Sequence, residues 1–191
     1  MATTLVHFAT NRGEKIENGE VVGFTPELNP KSPVYLRYGV ADMEKNAAPP
    51  PIYGISSLFV HPEQIPGVNA ADDADKVLGS SSVFEGLRLR LVENKPDLLL
   101  ILHGYACTFP DALSNAADLK TLWGTEDKPL ETAIFSWPAN GTVTPWLDYA
   151  SDRDDARASA KAVARALEGL LTYLRQLDRA DWCGANIHLV A

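Results

Sequence analysis

The stretch LLLILHG at residues 98–104 decides how the rest of the chain is interpreted. Five consecutive apolar residues lie between Lys95-Pro96-Asp97 and the turn formed by His103 and Gly104. A short apolar run with turn formers at both ends is typical of a strand that is buried on both faces. Such strands belong to parallel sheets with helices on each side. The stretch therefore predicts a central strand of a parallel sheet.

A helix and a second strand are predicted directly after this strand. The helix begins at about Pro110, which is tolerated in a first turn, and continues to about Trp123. Gly124 is its stop signal. The apolar run AIFSW at 133–137 is the second strand, and a proline ends it.

A long helix and a third strand complete the pattern. Ser151 is predicted to cap the helix, with Asp154 as its capping-box partner. Apolar residues then recur every three or four positions from 160 to 177. The run IHLVA at 187–191 predicts the third strand. Residues 97–191 are therefore expected to form a parallel βαβαβ core with right-handed crossovers.

Residues 1–96 are predicted to be a lead-in rich in short strands and loops. Strands are expected at 5–9 and 34–38, and a short helix near 70–77. The run VFEGLRLRLV at 83–92 alternates leucine with arginine, which favours an edge strand with one solvated face.

Length, composition and charge exclude several classes of protein for this chain. The 191 residues, 46% hydrophobic and 22% charged, are enough for one α/β domain with a hydrophobic core, and two independent domains are not expected. The formal net charge of -8 argues against a nucleic-acid partner. The first residues do not resemble a secretory leader, and no apolar run reaches the length of about 18 to 20 residues needed to span a membrane. We therefore expect a cytoplasmic protein.

Neither a metal nor an organic cofactor is expected. Cys107 and Cys183 lie far apart and show no ligand spacing, so both are predicted to be free thiols. The acidic residues between Asp152 and Asp155 are better explained as solvated charges at a helix N-terminus than as metal ligands.

Several short motifs occur in a fixed order along the chain. They are FATNRG (8–13), LRYGVADM (36–43), LLILHGY (99–105), TFPDALSNAADL (108–119), IFSWPANG (134–141), YASDRDDARAS (149–159) and IHLVA (187–191). In these motifs the chain resembles a poorly characterised, esterase/lipase-like family of α/β-hydrolases. The resemblance covers nearly the whole chain and is weakest between Pro49 and Gly79. It implies that residues 1–191 are the amino-terminal portion of a single domain with the α/β-hydrolase fold.

The resemblance implies a serine hydrolase that acts on small carboxylic esters, with amides as the less favoured alternative, and with its site at the carboxyl ends of the strands. It implies that the backbone NH of Tyr105, just after Gly104, is one oxyanion-hole donor. His103 is expected to support this loop rather than act as a base. Tyr105 and Trp137 are expected to contact substrate, and Trp146 is a further candidate.

The catalytic triad is expected to lie outside these residues. In the family, the strand matching IHLVA leads into a nucleophile elbow of the type His-Ser-Met-Gly, and the acid and the histidine follow later. Ser56 and Ser81 have a glycine two residues before them, but Leu58 and Val83 stand where the elbow needs a second small residue. Ser136 ends a predicted strand, but the following Trp-Pro pair cannot form an elbow. We therefore expect the chain to be inactive alone.

Two further interpretations stay open. The chain is alternatively a non-catalytic binding or assembly module that self-associates through its exposed terminal strand. Asn11 and Arg12 are expected to form a structural ion pair or a polar brace. His188 is expected to be a core or inter-helix side chain, while nothing in the sequence indicates a partner for His7 or His61.

Overall fold

The computed structural model describes residues 3–46, 52–62, 79–142, 147–175 and 186–191. The predicted helix at 70–77, Trp146 and Cys183 lie outside these ranges. The described residues form three helices and eight strands. In chain order they are β1 (Thr3–Thr10), β2 (Arg12–Glu17), β3 (Glu20–Leu28), β4 (Arg37–Lys45), β5 (Tyr53–Pro62), α1 (Gly79–Asn94), β6 (Asp97–Leu102), α2 (Phe109–Trp123), β7 (Leu130–Ser136), α3 (Leu147–Arg175) and β8 (Ile187–Val190).

Six of these strands form one sheet, in the order β5-β4-β1-β7-β6-β8. The first three are antiparallel neighbours, whereas β1, β7, β6 and β8 run parallel to one another. The predicted α/β fold with a parallel core is therefore confirmed. Strands of the lead-in belong to the same sheet, because β1 pairs directly with β7. The remaining strands, β2 and β3, form a separate hairpin.

Strand β6 is buried on both faces, as its apolar sequence predicts. It lies between β7 and β8, and its side chains alternate between two cores. Leu99 and Ile101 face α2, while Leu98 and Leu100 face α1 and α3. A continuous apolar run is needed here because both sides of the strand exclude water.

Helix α2 covers one face of the sheet and confirms the helix predicted over residues 110–123. Thr108 caps it and forms a capping box with Asp111, and Pro110 lies in the first turn. The cap residue Gly124 donates its NH to the Lys120 carbonyl. The face formed by Ala112, Leu113, Ala116 and Ala117 is fully buried against the sheet.

Helix α1 corrects the prediction of an edge strand at residues 83–92. Val83, Leu87 and Leu91 are buried at four-residue spacing, whereas Leu89 is 53% exposed. Glu85 and Arg88 form an ion pair at the i,i+3 spacing of a helix. Over so short a run, leucines at 87, 89 and 91 are compatible both with the two-residue period of a strand and with the 3.6-residue period of a helix. Packing of Leu87 and Leu91 against the sheet selects the helix.

Helix α3 begins at Leu147, so the predicted cap at Ser151 is wrong. Ser151 is an exposed residue inside the helix. Ala162, Ala166 and Leu170 pack α3 on the same face of the sheet as α1. The helix thereby completes three layers, with α2 on one side of the sheet and α1 and α3 on the other.

Strand β8 is confirmed in its position but not in its burial. It pairs with β6 at the edge of the sheet formed by the described residues. His188 is exposed there and contacts Asp97 through its Nε2 atom at 3.1 Å, so the prediction of a core side chain is wrong. A parallel strand with one neighbour and an uncovered face leaves its side chains in solvent. Among the described helices, none is both long and apolar enough to cross a lipid bilayer.

Candidate functional site

Two loops meet at the carboxyl ends of β6 and β7. The first, residues 103–108, connects β6 to α2; the second, residues 137–142, follows β7. The Trp137 indole NH donates to the His103 carbonyl at 2.8 Å, and the two rings stack with centroids 4.8 Å apart. The side chains at the two strand ends therefore join the loops into one surface.

His103 holds this junction as a buried ring. Its Nε2 lies 3.0 Å from the Trp137 carbonyl, and its Nδ1 lies 2.7 Å from the Gly104 carbonyl. Burial lowers the pKa of His103 to about 4, despite the two carbonyl contacts, which favour the protonated form. The ring is therefore neutral at physiological pH and donates through one nitrogen only.

The turn after His103 has an exposed tip, formed by Gly104 and Tyr105, and a base at Ala106 and Cys107 that is hydrogen-bonded to buried side chains. Gly104 is exposed, and Tyr105 is 55% exposed with its ring edge-to-face against Tyr149 of α3. Ala106 has φ +54°, a left-handed conformation that strains any residue with a Cβ. A turn that keeps this geometry must be held by its surroundings.

Asp152 of α3 is one of the groups that hold the turn. Its Oδ2 accepts the Ala106 NH at 2.7 Å, and its Oδ1 accepts the Asn140 NH at 3.4 Å. The residue is 1% exposed, so the prediction of a solvated charge at a helix N-terminus is wrong for it. Asp152 stands seven residues before the buried Ser159, on the face that turns toward the sheet. This seven-residue spacing is the feature of the sequence from which the burial of Asp152 could have been predicted.

Arg12 approaches the same two loops from the end of β1. Its guanidinium donates to the carbonyls of Cys107 at 2.7 Å and Ala139 at 3.1 Å, and its Nε donates to the Ser136 Oγ at 2.9 Å. The side chain is 1% exposed, and desolvation lowers its pKa to about 10. Of the two predicted roles, the polar brace is the one observed.

The neighbouring side chains extend this network into the fold. Asn11 donates to the Pro33 carbonyl and to the Ser159 Oγ, both at 2.9 Å. The Thr10 hydroxyl donates to the Ser136 carbonyl at 2.6 Å. The FATNRG motif therefore ties β1 to β7 and α3.

The remaining candidates contribute little open surface. Trp137 is 8% exposed, because its ring stacks on His103 and the residue belongs to the core between the sheet and helices α1 and α3, so little of it is open to a ligand. Cys107 is a free thiol, as predicted, and burial raises its pKa to about 11, which leaves it unreactive at neutral pH.

Within the described ranges, no group of three or more His, Cys, Asp or Glu side chains is arranged to hold a metal ion.

Comparison with known protein families identifies the family of this chain. The family model described as "Alpha/beta hydrolase of unknown function (DUF900)" matches residues 81–181. No curated protein matches the chain, and no solved structure does. Because the matched segment is more than half of the chain and the observed sheet is of the expected mixed α/β type, the chain belongs to this family of α/β-hydrolases of unknown function.

Proposed function

We propose that this chain supplies one half of the oxyanion hole of an esterase-like serine hydrolase. The observation that carries the proposal is the turn of residues 103–107 at the carboxyl end of β6. Its base is held by buried charged groups, while Gly104 and Tyr105 remain exposed at its tip. An oxyanion hole needs donors that are fixed before charge develops, because reorganisation during the reaction lowers the gain in rate.

The proposed reaction is the hydrolysis of a carboxylic ester. A serine Oγ attacks the ester carbonyl carbon while a histidine accepts the hydroxyl proton, and an acid orients that histidine. The negative oxygen of the tetrahedral intermediate accepts from the Tyr105 NH and from an NH after the serine. The C–O bond to the alcohol then breaks, the histidine gives the proton to the leaving oxygen, and the acyl group stays on the serine Oγ. A water molecule next attacks the acyl carbonyl carbon while the histidine accepts its proton. The bond to the serine Oγ breaks, the histidine returns the proton to the serine, and the carboxylic acid is released. The exposed ring of Tyr105 is available to contact the acyl or alcohol group.

We further propose that the serine, histidine and acid of this reaction are not among these 191 residues. Ser136 ends the parallel strand β7, but its hydroxyl is fully buried and accepts a hydrogen bond from Arg12. Ser56 lies within β5 and Ser81 within α1, so neither stands on a strand-to-helix turn. A nucleophile elbow requires such a turn, with small residues on both sides of the serine.

Reaction with a fluorophosphonate and hydrolysis of p-nitrophenyl acetate test both parts of the proposal. The 191-residue chain is expected to show neither. Stoichiometric labelling would contradict the absence of a nucleophile. A polypeptide in which this sequence continues into His-Ser-x-Gly is expected to do both, and replacement of that serine by alanine should abolish both. An extended polypeptide that is folded but inert toward both reagents would overturn the assignment as an esterase.

A non-catalytic assembly module is the second candidate, and the exposed edge strand β8 favours it. Leu189 is 58% exposed, and β8 pairs with β6 alone among the described strands. Such an edge can pair with a second polypeptide. Light scattering after size exclusion is expected to show dimers that Leu189→Lys converts to monomers. A monomeric parent chain with cooperative melting would contradict this candidate.

A further inference from the structure

We infer that Asp152 and Arg12 act together as a two-loop clamp, a pair of positioning residues that sets the orientation of the turn carrying the Tyr105 NH. The catalytic meaning of the clamp rests on the proposed function, whereas its geometry does not. Neither residue is a catalytic residue, since neither occupies the exposed tip of the turn.

Opposite charges hold neighbouring residues of the first loop. The Asp152 carboxylate accepts the Ala106 NH, and the Arg12 guanidinium donates to the Cys107 carbonyl, each at 2.7 Å. Hydrogen bonds to ionised groups are shorter and stronger than those between neutral groups. One bond comes from Arg12 at the end of β1, and the other from Asp152 of α3. The segment after Tyr105 is therefore held through the NH of Ala106 and through the carbonyl of Cys107.

The second loop is held by the same two side chains through a single peptide group. Arg12 donates to the Ala139 carbonyl at 3.1 Å, and Asp152 accepts the NH of the next residue, Asn140, at 3.4 Å. This carbonyl and this NH belong to one peptide unit, so the peptide lies between the positive and the negative group. The two charges polarise it in the same direction. Consequently the loops at residues 103–108 and 137–142 are held as one body.

The clamp explains why two ionised side chains remain buried at the strand ends. Both are 1% exposed, and burial of an unpaired charge is costly. Here each charge is compensated by backbone groups of both loops and by the opposite charge beyond them. The same contacts keep Ala106 at φ +54°, which the chain does not adopt readily by itself. Strain of this kind persists only where the surroundings impose it.

Helix α3 adds a second contact on the same side of the turn. Tyr149 lies three residues before Asp152, and its ring meets the Tyr105 ring with centroids 5.7 Å apart. Residues at this spacing share a helix face. The start of α3 therefore contacts both Tyr105 and Ala106, and the position of the Tyr105 backbone depends on how α3 is seated.

The contact to Ala106 is testable on the unmodified 191-residue chain by NMR. A scalar coupling across the hydrogen bond between the Ala106 amide nitrogen and the Asp152 side-chain carboxyl carbon is expected. Its absence in a folded sample with both signals assigned would overturn the clamp. This measurement does not depend on the folding of any variant.

Substitution then tests the charge. Asp152→Asn keeps one acceptor oxygen and loses the charge, so the Ala106 amide is expected to exchange with solvent about 10-fold faster. Asp152→Ala removes the acceptor altogether, so the Ala106 amide should exchange about 100-fold faster than in the parent chain. The exchange rate of Asp152→Asn should lie between those of Asp152→Ala and the parent. Asp154→Asn is the matched control, because Asp154 is exposed on the same helix and pairs only with exposed arginines in the described contacts. Equal exchange in the parent and Asp152→Ala would overturn the clamp.

Kinetics test the positioning role in a polypeptide that also carries the nucleophile. Asp152→Asn is expected to lower kcat by about 100-fold, the order of one displaced oxyanion donor, with KM nearly unchanged. An unchanged kcat together with the NMR change would overturn the positioning role. An inactive parent with the NMR result intact would instead overturn the proposed function, so the two failures are distinguishable.

Discussion

Replacement of Arg12 by methionine is expected to destabilise the fold by about 3 kcal/mol. The side chain is 1% exposed and makes three short hydrogen bonds, to the Cys107 carbonyl, the Ala139 carbonyl and the Ser136 hydroxyl. Methionine fills much of the same volume but cannot donate. The substitution therefore isolates the donors from the packing of the aliphatic stem.

The magnitude follows from two opposing effects. Loss of the donors leaves three buried acceptors without a partner, at about 2 kcal/mol each, so about 6 kcal/mol together. Desolvation of the charge acts in the opposite direction, because it lowers the pKa of Arg12 from its ordinary value to about 10. A shift of that size corresponds to about 3 kcal/mol against the charged form, which methionine avoids. The net loss of about 3 kcal/mol is a large part of the stability of a typical domain.

Arg12→Lys separates charge from geometry. Lysine keeps the positive charge and its desolvation cost, but it lacks the planar fork that reaches three acceptors in different directions. We therefore expect Arg12→Lys to be at least as unstable as Arg12→Met. Urea unfolding followed by tryptophan fluorescence gives both free energies. The control is Arg157→Met, an exposed position where the change should stay below about 0.5 kcal/mol. A stability of Arg12→Met within about 0.5 kcal/mol of the parent would refute the reasoning.

Three further predictions concern the core. Burial, with two nearby cations, lowers the pKa of His7 to about 4. The unfolded chain therefore binds a proton that the folded chain does not as pH falls from about 6.5 toward 4, and up to about 3 kcal/mol of stability is lost. Urea unfolding at pH 7 and pH 4.5 should show a smaller loss for His7→Phe than for the parent; equal losses would exclude His7 as the cause. Gly39→Ala places a Cβ 2.3 Å from a β5 carbonyl and should cost about 3 kcal/mol, whereas Gly23→Ala meets only a flexible side chain at 3.8 Å. Similar melting temperatures for these two variants would contradict the close approach at residue 39. Leu113→Ala opens a cavity under α2 and should cost about 2 to 5 kcal/mol, against less than about 0.5 for the exposed Leu122→Ala, as measured by urea unfolding. A cost of less than about 1 kcal/mol at Leu113 would show that the site collapses around the smaller residue.

Much of the central fold could be predicted from local pattern. The strand at 98–102 and the helix ending at Gly124 each occur where apolar runs, caps and breakers agree. Agreement between such signals makes a local prediction reliable. The sequence also placed His103, Gly104 and Tyr105 at the carboxyl end of that strand, where the structure has them.

Other features could not be predicted because local signals were ambiguous or misleading. Leucines at 87, 89 and 91 fit both a strand and a helix, and only packing of Leu87 and Leu91 against the sheet distinguishes them. The motif Ser151-x-x-Asp154 has the composition of a helix cap, yet it lies inside α3. At residues 87–91 packing against the sheet outweighs a preference worth about 1 kcal/mol or less. At Ser151 the helical backbone has already begun at Leu147, four residues earlier, so Ser151 is not at a cap position.

The sequence by itself determined the α/β class, the central strand β6 and the turn at its carboxyl end, because hydrophobic runs and turn formers act over a few residues. Only the tertiary structure decided that Arg12 and Asp152, which are 140 positions apart, hold the same two loops. Charge alone does not reveal that Arg12 and Asp152 act on the same loops, since Asp152 stands beside Asp154, which is exposed, and Asp155, which is only partly buried. The exclusion of water at the strand ends turns these two charges into the groups that position the turn.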